Sequence, residues 1–466
     1  MTVPLAELEL ACAQALSYRQ GLPDAPCKAA RNYAQMLALY DAPLPETGEP
    51  GADVIRDLAE TATQGLTPMA HPRFFGWVLG GSAPVGVAAD WLVSAWGQNA
   101  AFHTSSPTVS ALEQVAERWL LDILDLPRDA AVGFVTGATV GNFTALAAAR
   151  GAVLRRHGWD PDQDGLFGAP PVSVFLGDDA HTSVFSALGY LGFGRRRVQR
   201  IATDDQGRMD PGDLARQMAQ QPGPAVIIAQ AGQINTGAFD PFDTIADIAA
   251  EHNAWLHVDS AFGLWARAHP EYRALTHGIK RAQSWAVDGH KWLQTPFDSG
   301  YAIVRDRTAL EAAMGIDASY LPERAAQERI PSFLVPELSR RARGVPTYAM
   351  LRSLGRQGVA DMVGRHCGIA RQIAERLTGQ PGITILNDVN LNQIILRFGT
   401  GAGCDIATEQ VIEALREQGA LFAGGARWRG RWVLRLSVIC EATALLDANP
   451  AAEAILEAWA QVRDGL

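Results

Sequence analysis

The sequence predicts an α/β fold: a mostly parallel, seven-stranded sheet with helices on both faces, followed by a smaller α+β unit. Three observations lead there. Between about residues 130 and 305, short runs of apolar residues alternate with longer stretches of helical pattern. Those runs are apolar without interruption, so the strands they form are to be covered on both faces. After about residue 350 the pattern changes to long helices separated by strand-like alternation, the mark of a second and smaller unit.

Taken in order, residues 1–70 read as helices with a Pro/Gly-rich break at 43–52. This stretch is too short for a core of its own and is expected to pack on the rest of the chain or on a partner subunit. The strands of the sheet are VGFV (132–135), VSVFL (172–176), VQRI (198–201), AVIIA (225–229), WLHV (255–258), SWAV (284–287) and YAIV (301–304). The smaller unit carries a long helix (349–377), a strand in LNQIILRF (391–398), a helix near 407–418, a strand WVLRLSVI (432–439) and a closing helix (450–463). The expected division is therefore 1–70, 71–348 and 349–466.

Composition narrows the function. The formal charge of −10 is spread along the chain, and basic clusters such as Arg195 to Arg197 are short, so nucleic-acid binding is not suggested. Five cysteines lack disulfide or metal-ligand spacing, which fits a reducing cytoplasm and predicts no metal site. The first twenty residues lack the basic start of a signal peptide, and no apolar run is long enough to cross a bilayer. Of 40 basic residues only Lys28, Lys280 and Lys291 are lysines. Lysine can lose its proton and act as an amine nucleophile where arginine cannot. Lys28 and Lys280 lie in polar stretches, whereas Lys291 lies between apolar flanks in SWAVDGHKWLQTP, where it is either a nucleophile or a lysine lying along Trp292.

Ligands of parallel sheets bind at the carboxyl ends of the strands. At those ends stand Thr136, Gly137, Ala138 and Thr139, ahead of an alanine-rich helix, where small residues let backbone N–H groups approach a phosphate. A turn capped by Thr139 would look the same. Asp259, after WLHV, is a strand-end carboxylate that needs a partner if buried, and a protonated pyridine nitrogen is one candidate, a helix cap another. His181 opens a helix after VSVFL and could stack on a ring or simply cap that helix. Lys291 follows Asp259 by one strand. A cofactor with an aldehyde, a phosphate, a ring nitrogen and a ring face asks for this set together.

These segments, with HPRFFGWVLGGSAP, SSPTVSALE, GQINTGAFDPF and SRRARG, resemble the group II pyridoxal-phosphate decarboxylases, which act on aromatic amino acids, glutamate, tyrosine or diaminobutyrate. The pair HVD and HKW in this order is the most specific part. The resemblance implies the aspartate-aminotransferase-type fold (fold type I) and a homodimer with active sites at the subunit interface. It implies pyridoxal 5'-phosphate as cofactor, a Schiff base on Lys291, Asp259 on the pyridine nitrogen and His181 on the ring. Gly137 to Thr139 would hold the phosphate with His290, Asn235 or Thr236 would lie near the ring hydroxyl, and Ala261 and Asp288 would complete the cofactor site. Two departures are present: Ala138 replaces a second glycine in the phosphate turn, and Asp288-Gly289 replaces the common Asn-Pro or Asp-Pro.

The cofactor alone leaves decarboxylation, aminotransfer, aldehyde synthesis and lysis open, and a non-catalytic homologue is a further reading. In the resembled family a loop tyrosine 29 residues beyond the lysine is associated with protonating the substrate carbon, and that register lands on Tyr320. Decarboxylation of an L-amino acid to its amine and carbon dioxide is therefore expected. By the same resemblance the side-chain pocket would draw on Trp77, Val78, Leu79 and Gly80, and on Asn99, Ala101, Phe102 and His103 of the partner. Aromatic and smaller polar amino acids both fit those residues.

Overall fold

The computed structural model describes residues 5–315 and 329–465. Seven strands form the larger sheet: β1 (Ala131–Val135), β2 (Ser173–Gly177), β3 (Val198–Ile201), β4 (Ala225–Gln230), β5 (Trp255–Asp259), β6 (Ser284–Asp288) and β7 (Gly300–Val304). Their order is β1-β7-β6-β5-β4-β2-β3. Strands β3, β2, β4, β5 and β6 pair in parallel. β7 runs antiparallel to both β6 and β1, so β1 to β6 point the same way and present their carboxyl ends at one edge.

The uninterrupted apolar runs have a direct structural cause. In β4, Val226 and Ile228 pack into one core cluster, with Trp255 and helix Ala138–Arg155, while Ile227 and Ala229 pack into another with Trp285 and Leu256. Alternate side chains point to opposite faces, and both faces are dry. Helix Ala138–Arg155 can lie close because its buried face is mostly alanine and glycine. It is also tied to the sheet by a polar bond: the buried His257 of β5 contacts Asn142 through Nε2 (2.8 Å) and Ser284 of β6 through Nδ1 (2.8 Å).

The second sheet is antiparallel, with β8 (Ile383–Ile385), β9 (Gln393–Phe398), β10 (Gly424–Trp428) and β11 (Arg431–Ser437) in the order β10-β11-β9-β8. The sequence pattern shows β9 and β11 but not β8, which is three residues long, or β10, which begins with two glycines. β10 and β11 are joined through Arg429 and Gly430, both at positive φ (49° and 77°), as a two-residue hairpin turn requires. The long helix runs Gly344–Leu377 and is broken at Gly355, whose φ of 61° only glycine adopts without strain. Helices Ala6–Gly21, Tyr33–Tyr40 and Gly51–Ala62 contain no buried residue in the single chain. Among the described residues no helix is long and apolar enough to cross a membrane.

Candidate active site

A cavity of about 350 Å³ opens at the carboxyl edge of the larger sheet. Thr136 to Thr139 reach it from β1, His181 from β2, Gln230 from β4, Asp259 and Ala261 from β5, and Asp288, His290 and Lys291 from β6. Val78, Ile234 and Phe262 supply apolar wall. Residues spread over 155 positions of sequence, from 136 to 291, therefore converge on one space because parallel strands deliver their ends side by side.

The turn after β1 is built for close approach. Gly137 precedes helix Ala138–Arg155 with no side-chain cap, so Thr139 is not a capping residue here, and the N–H groups of Thr139 and Val140 stay available. A Cβ on Gly137 would lie 3.0 Å from His290 Cε1, and one on Gly300 would lie 2.5 Å from Gly137 Cα. Asp288 Oδ1 accepts the Ala138 N–H at 2.6 Å. Its other oxygen, Oδ2, stands 2.8 Å from Lys291 Nζ, and His290 Nε2 stands 3.6 Å from Oδ1. The turn and the lysine thus share one buried carboxylate. The other lysines are engaged elsewhere: Lys28 Nζ donates to the Glu417 carbonyl and Lys280 Nζ pairs with Asp125.

Asp259 is 4% exposed, and its Oδ1 has no hydrogen-bond partner. Burial raises its pKa above the ordinary carboxylate value, while His181 and Lys291 pull the other way. A buried, half-satisfied carboxylate is costly unless something cationic or proton-bearing meets it. His181 caps helix Thr182–Tyr190: its Nδ1 accepts from Ser183 N–H (3.3 Å) and lies 2.7 Å from Ser183 Oγ. Burial lowers its pKa, against the attraction of Asp259, so the ring is held neutral. The capping and the ring-facing readings of His181 are compatible, since the same side chain also lines the cavity.

The remaining sequence candidates lie apart from this cavity. Thr236 Oγ1 donates to the Gln206 carbonyl (2.6 Å), and Asn235 Oδ1 faces Arg435 Nη1 at 3.5 Å. Trp77 is 49% exposed and packs against Phe74 and Phe422, while Leu79 is half-buried. Gly80 is pressed against the lysine turn, where a Cβ would lie 2.2 Å from the Lys291 carbonyl oxygen. Asn99 Oδ1 accepts from the Ala101 and Arg340 N–H groups. Ala101, Phe102 and His103 belong to the same turn and do not line the cavity of their own chain. Tyr320 lies outside the described residues.

Two residues near the site carry no sequence signal. Arg435 of β11 is largely buried, forms no ion pair among the described residues, and burial lowers its pKa to about 10; its charge is close enough to act on His181. Gln294, fully buried three residues after Lys291, bonds to the lysine turn and to two distant segments.

The model of the pyridoxal-dependent decarboxylase conserved domain matches residues 34–398. Tryptophan decarboxylase 1 of Oryza sativa subsp. japonica is 27% identical over 428 residues, 86% of this chain and 81% of that protein. L-2,4-diaminobutyrate decarboxylase of Rhizobium meliloti (strain 1021) is 29% identical over 393 residues, covering 82% and 76%. The crystal structure of Oryza sativa TDC with PLP and tryptamine superposes with a TM-score of 0.91 at 24% identity, covering 99% of each chain, which establishes the likeness of fold.

Proposed function

Because this chain belongs to the pyridoxal-dependent decarboxylase family and is an amino-acid decarboxylase working with pyridoxal phosphate, we propose that Lys291 carries that cofactor and that Asp259, His181 and the turn at 136–139 hold it. The observation that carries this reading is the orphaned, buried Oδ1 of Asp259 in one cavity with the amine of Lys291. The residues fit the group. Asp259 offers its unpaired oxygen to a protonated ring nitrogen, His181 offers a ring face, and the turn at Gly137 to Thr139 offers close approach and the free Thr139 N–H at a helix start for a phosphate. When bound, the cofactor supplies an electron sink for whichever bond breaks at the substrate α-carbon.

Around it, the chain's own groups do three things. Asp259 keeps a proton on the ring nitrogen, because an unpaired buried carboxylate there is stabilised only by a cation. Lys291, 17% exposed and 2.8 Å from Asp288, has a carboxylate beside it to exchange its proton with. Arg435 offers an uncommitted charge for a carboxylate of the substrate. Tyr320, 29 residues past Lys291, is assigned as the group that protonates the α-carbon after carbon dioxide leaves. In this reading residues 71–348 carry the cofactor and 349–466 contribute Arg435. The helices of 1–70, with Leu8, Leu37 and Leu58 exposed, pack on a second copy, whose 99–103 turn completes the substrate pocket. The five free cysteines fit a cytoplasmic protein.

The test is product analysis. Purified holoprotein is incubated separately with L-tryptophan, L-tyrosine, L-glutamate and L-2,4-diaminobutyrate, and amine, carbon dioxide and oxo acid are measured. Amine and carbon dioxide in equal amounts are expected from at least one, and amine output in Tyr320→Phe is expected to fall about 10²- to 10⁴-fold. Oxo acid or aldehyde as the main product would replace decarboxylation with a sister reaction. A full rate in Tyr320→Phe would remove the tyrosine from the mechanism.

A further inference from the structure

We infer that Gln294 is a positioning residue that fixes the substrate side of the pocket to the lysine turn. The inference rests on the reading of that pocket as an amino-acid site. Gln294 is fully buried and has φ 60°, a left-handed conformation that a glycine would adopt without cost. A glycine would lack the amide, and here every bonding capacity of the amide is used. Its Nε2 donates to the carbonyls of Ile439 (2.6 Å) and Lys291 (3.0 Å), with Trp292 O at 3.4 Å. Its Oε1 accepts the N–H of Gly81 (2.7 Å) and of Glu441 (3.0 Å).

Those partners lie on three segments far apart in sequence, each next to a different part of the site. Gly81 follows Val78, which forms wall of the cavity; Lys291 is in the cavity; Ile439 and Glu441 follow β11, which carries Arg435. The backbone repeats the connection, since the Gly80 N–H donates to the His290 carbonyl and the Ala83 N–H to the Gln294 carbonyl. The wall segment can seat this tightly only because residue 80 is glycine. By contrast, the hydrogen bonds and ion pair of His181 and Asp288, and the open oxygen of Asp259, do not involve Gln294. Loss of the amide therefore loosens Val78 and Arg435 relative to Lys291 and leaves the side-chain contacts of Asp259, His181 and Asp288 in place.

The experiment compares wild-type holoprotein with Gln294→Met, which keeps length and volume, and Gln294→Glu, which keeps the acceptor and loses the donor. Cofactor affinity is read by equilibrium binding. Amino-acid affinity is read from the cofactor absorbance change with the four amino acids above, which needs no turnover, and KM and kcat are read for any that release amine. In Gln294→Met the amino-acid dissociation constant and KM are expected to rise about ten-fold or more, with cofactor affinity within about two-fold. In Gln294→Glu only the protonated acid can donate to Ile439, so its kcat/KM relative to wild type should rise as the pH falls. His290, Lys291, Cys440 and Glu441, the titratable groups on the segments it touches, and Arg19, which bonds the Gly81 carbonyl, are common to both proteins and cancel in that ratio.

Unchanged amino-acid affinity in Gln294→Met, or a ratio flat with pH in Gln294→Glu, would overturn the inference. So would loss of cofactor by both variants, which would make Gln294 a packing residue. A wild-type protein that binds an amino acid and releases no amine would defeat the decarboxylase reading while the affinity comparison still decides the role of Gln294.

Discussion

The two sides of the pocket are held by different forces. On one side Asp259, Asp288 and Lys291 stand at or just beyond strand ends, and the register of the sheet sets their spacing: Gln230 lies opposite Asp259, and Asp259 opposite Ala286. Moving any of them means shearing a sheet whose two faces are both buried. On the other side Val78, Gln294 and Arg435 come from a loop, a turn and the second sheet, and side-chain bonds to backbone join them, such as Ser437 Oγ to the Trp77 carbonyl (3.0 Å). A few bonds there are worth about 1 kcal/mol each, far less than a sheet. Substitutions on the first side should therefore damage chemistry, and those on the second should retune substrate affinity with the cofactor retained.

The largest test of that contrast is Asp259→Asn. A neutral amide no longer holds a proton on the ring nitrogen, so kcat is expected to fall about 10²- to 10³-fold with KM little changed. Turnover at the parent rate with full cofactor occupancy would show that Asp259 is a structural strand-end residue. Arg435→Gln should give the opposite pattern. Losing one charge-assisted bond costs about 1.5–3 kcal/mol, so kcat/KM should fall by about ten- to a hundred-fold, chiefly through KM, with cofactor affinity unchanged. An equal loss of cofactor would break the distinction between the two sides.

The smallest effect concerns stability. Burial pushes the pKa of His257, in β5, and of His366, bonded to Trp292, each to about 3. The unfolded chain protonates them near pH 6.5 and the folded chain does not. Their contribution is present above that pH and is lost as pH falls toward 3, by at most about 1.4 kcal/mol per pH unit for each. Asp240, raised by burial to about 7, works in the other direction below that pH and offsets about one of them. Thermal melting from pH 7 to 4 should show a shallower acid loss in His257→Gln than in wild type. An unchanged slope would remove His257 from the acid response.

The strand-end side was also the legible side. Asp259 ends an apolar run and Lys291 follows one closely, and short motifs around them carry their own local signals, so seven strands and the residues that meet in the cavity could be read in order. His181 showed its helix start, and the structure adds its place in the cavity wall. Thr139 illustrates a local signal that misleads: threonine near a helix start suggests a cap, yet Gly137 occupies that position without one. The other side left almost no trace. In WVLRLSVI, Arg435 reads as a solvent-facing residue of an alternating strand, and only its approach to Asn235, 200 positions away, and to His181 reveals a buried charge. Gln294 reads as a polar turn residue, because four of its bonding partners lie outside any local pattern. β8 and β10 escaped for a simpler reason: short, glycine-led strands have no periodicity to show.

Reducing the holoprotein with borohydride and mapping the labelled peptide decides whether this decarboxylase carries its pyridoxal phosphate on Lys291. One phosphopyridoxyl group is expected, on the peptide containing His290, Lys291 and Trp292, and none in Lys291→Ala. A label on Lys28 or Lys280, or a stable label in Lys291→Ala, would contradict it.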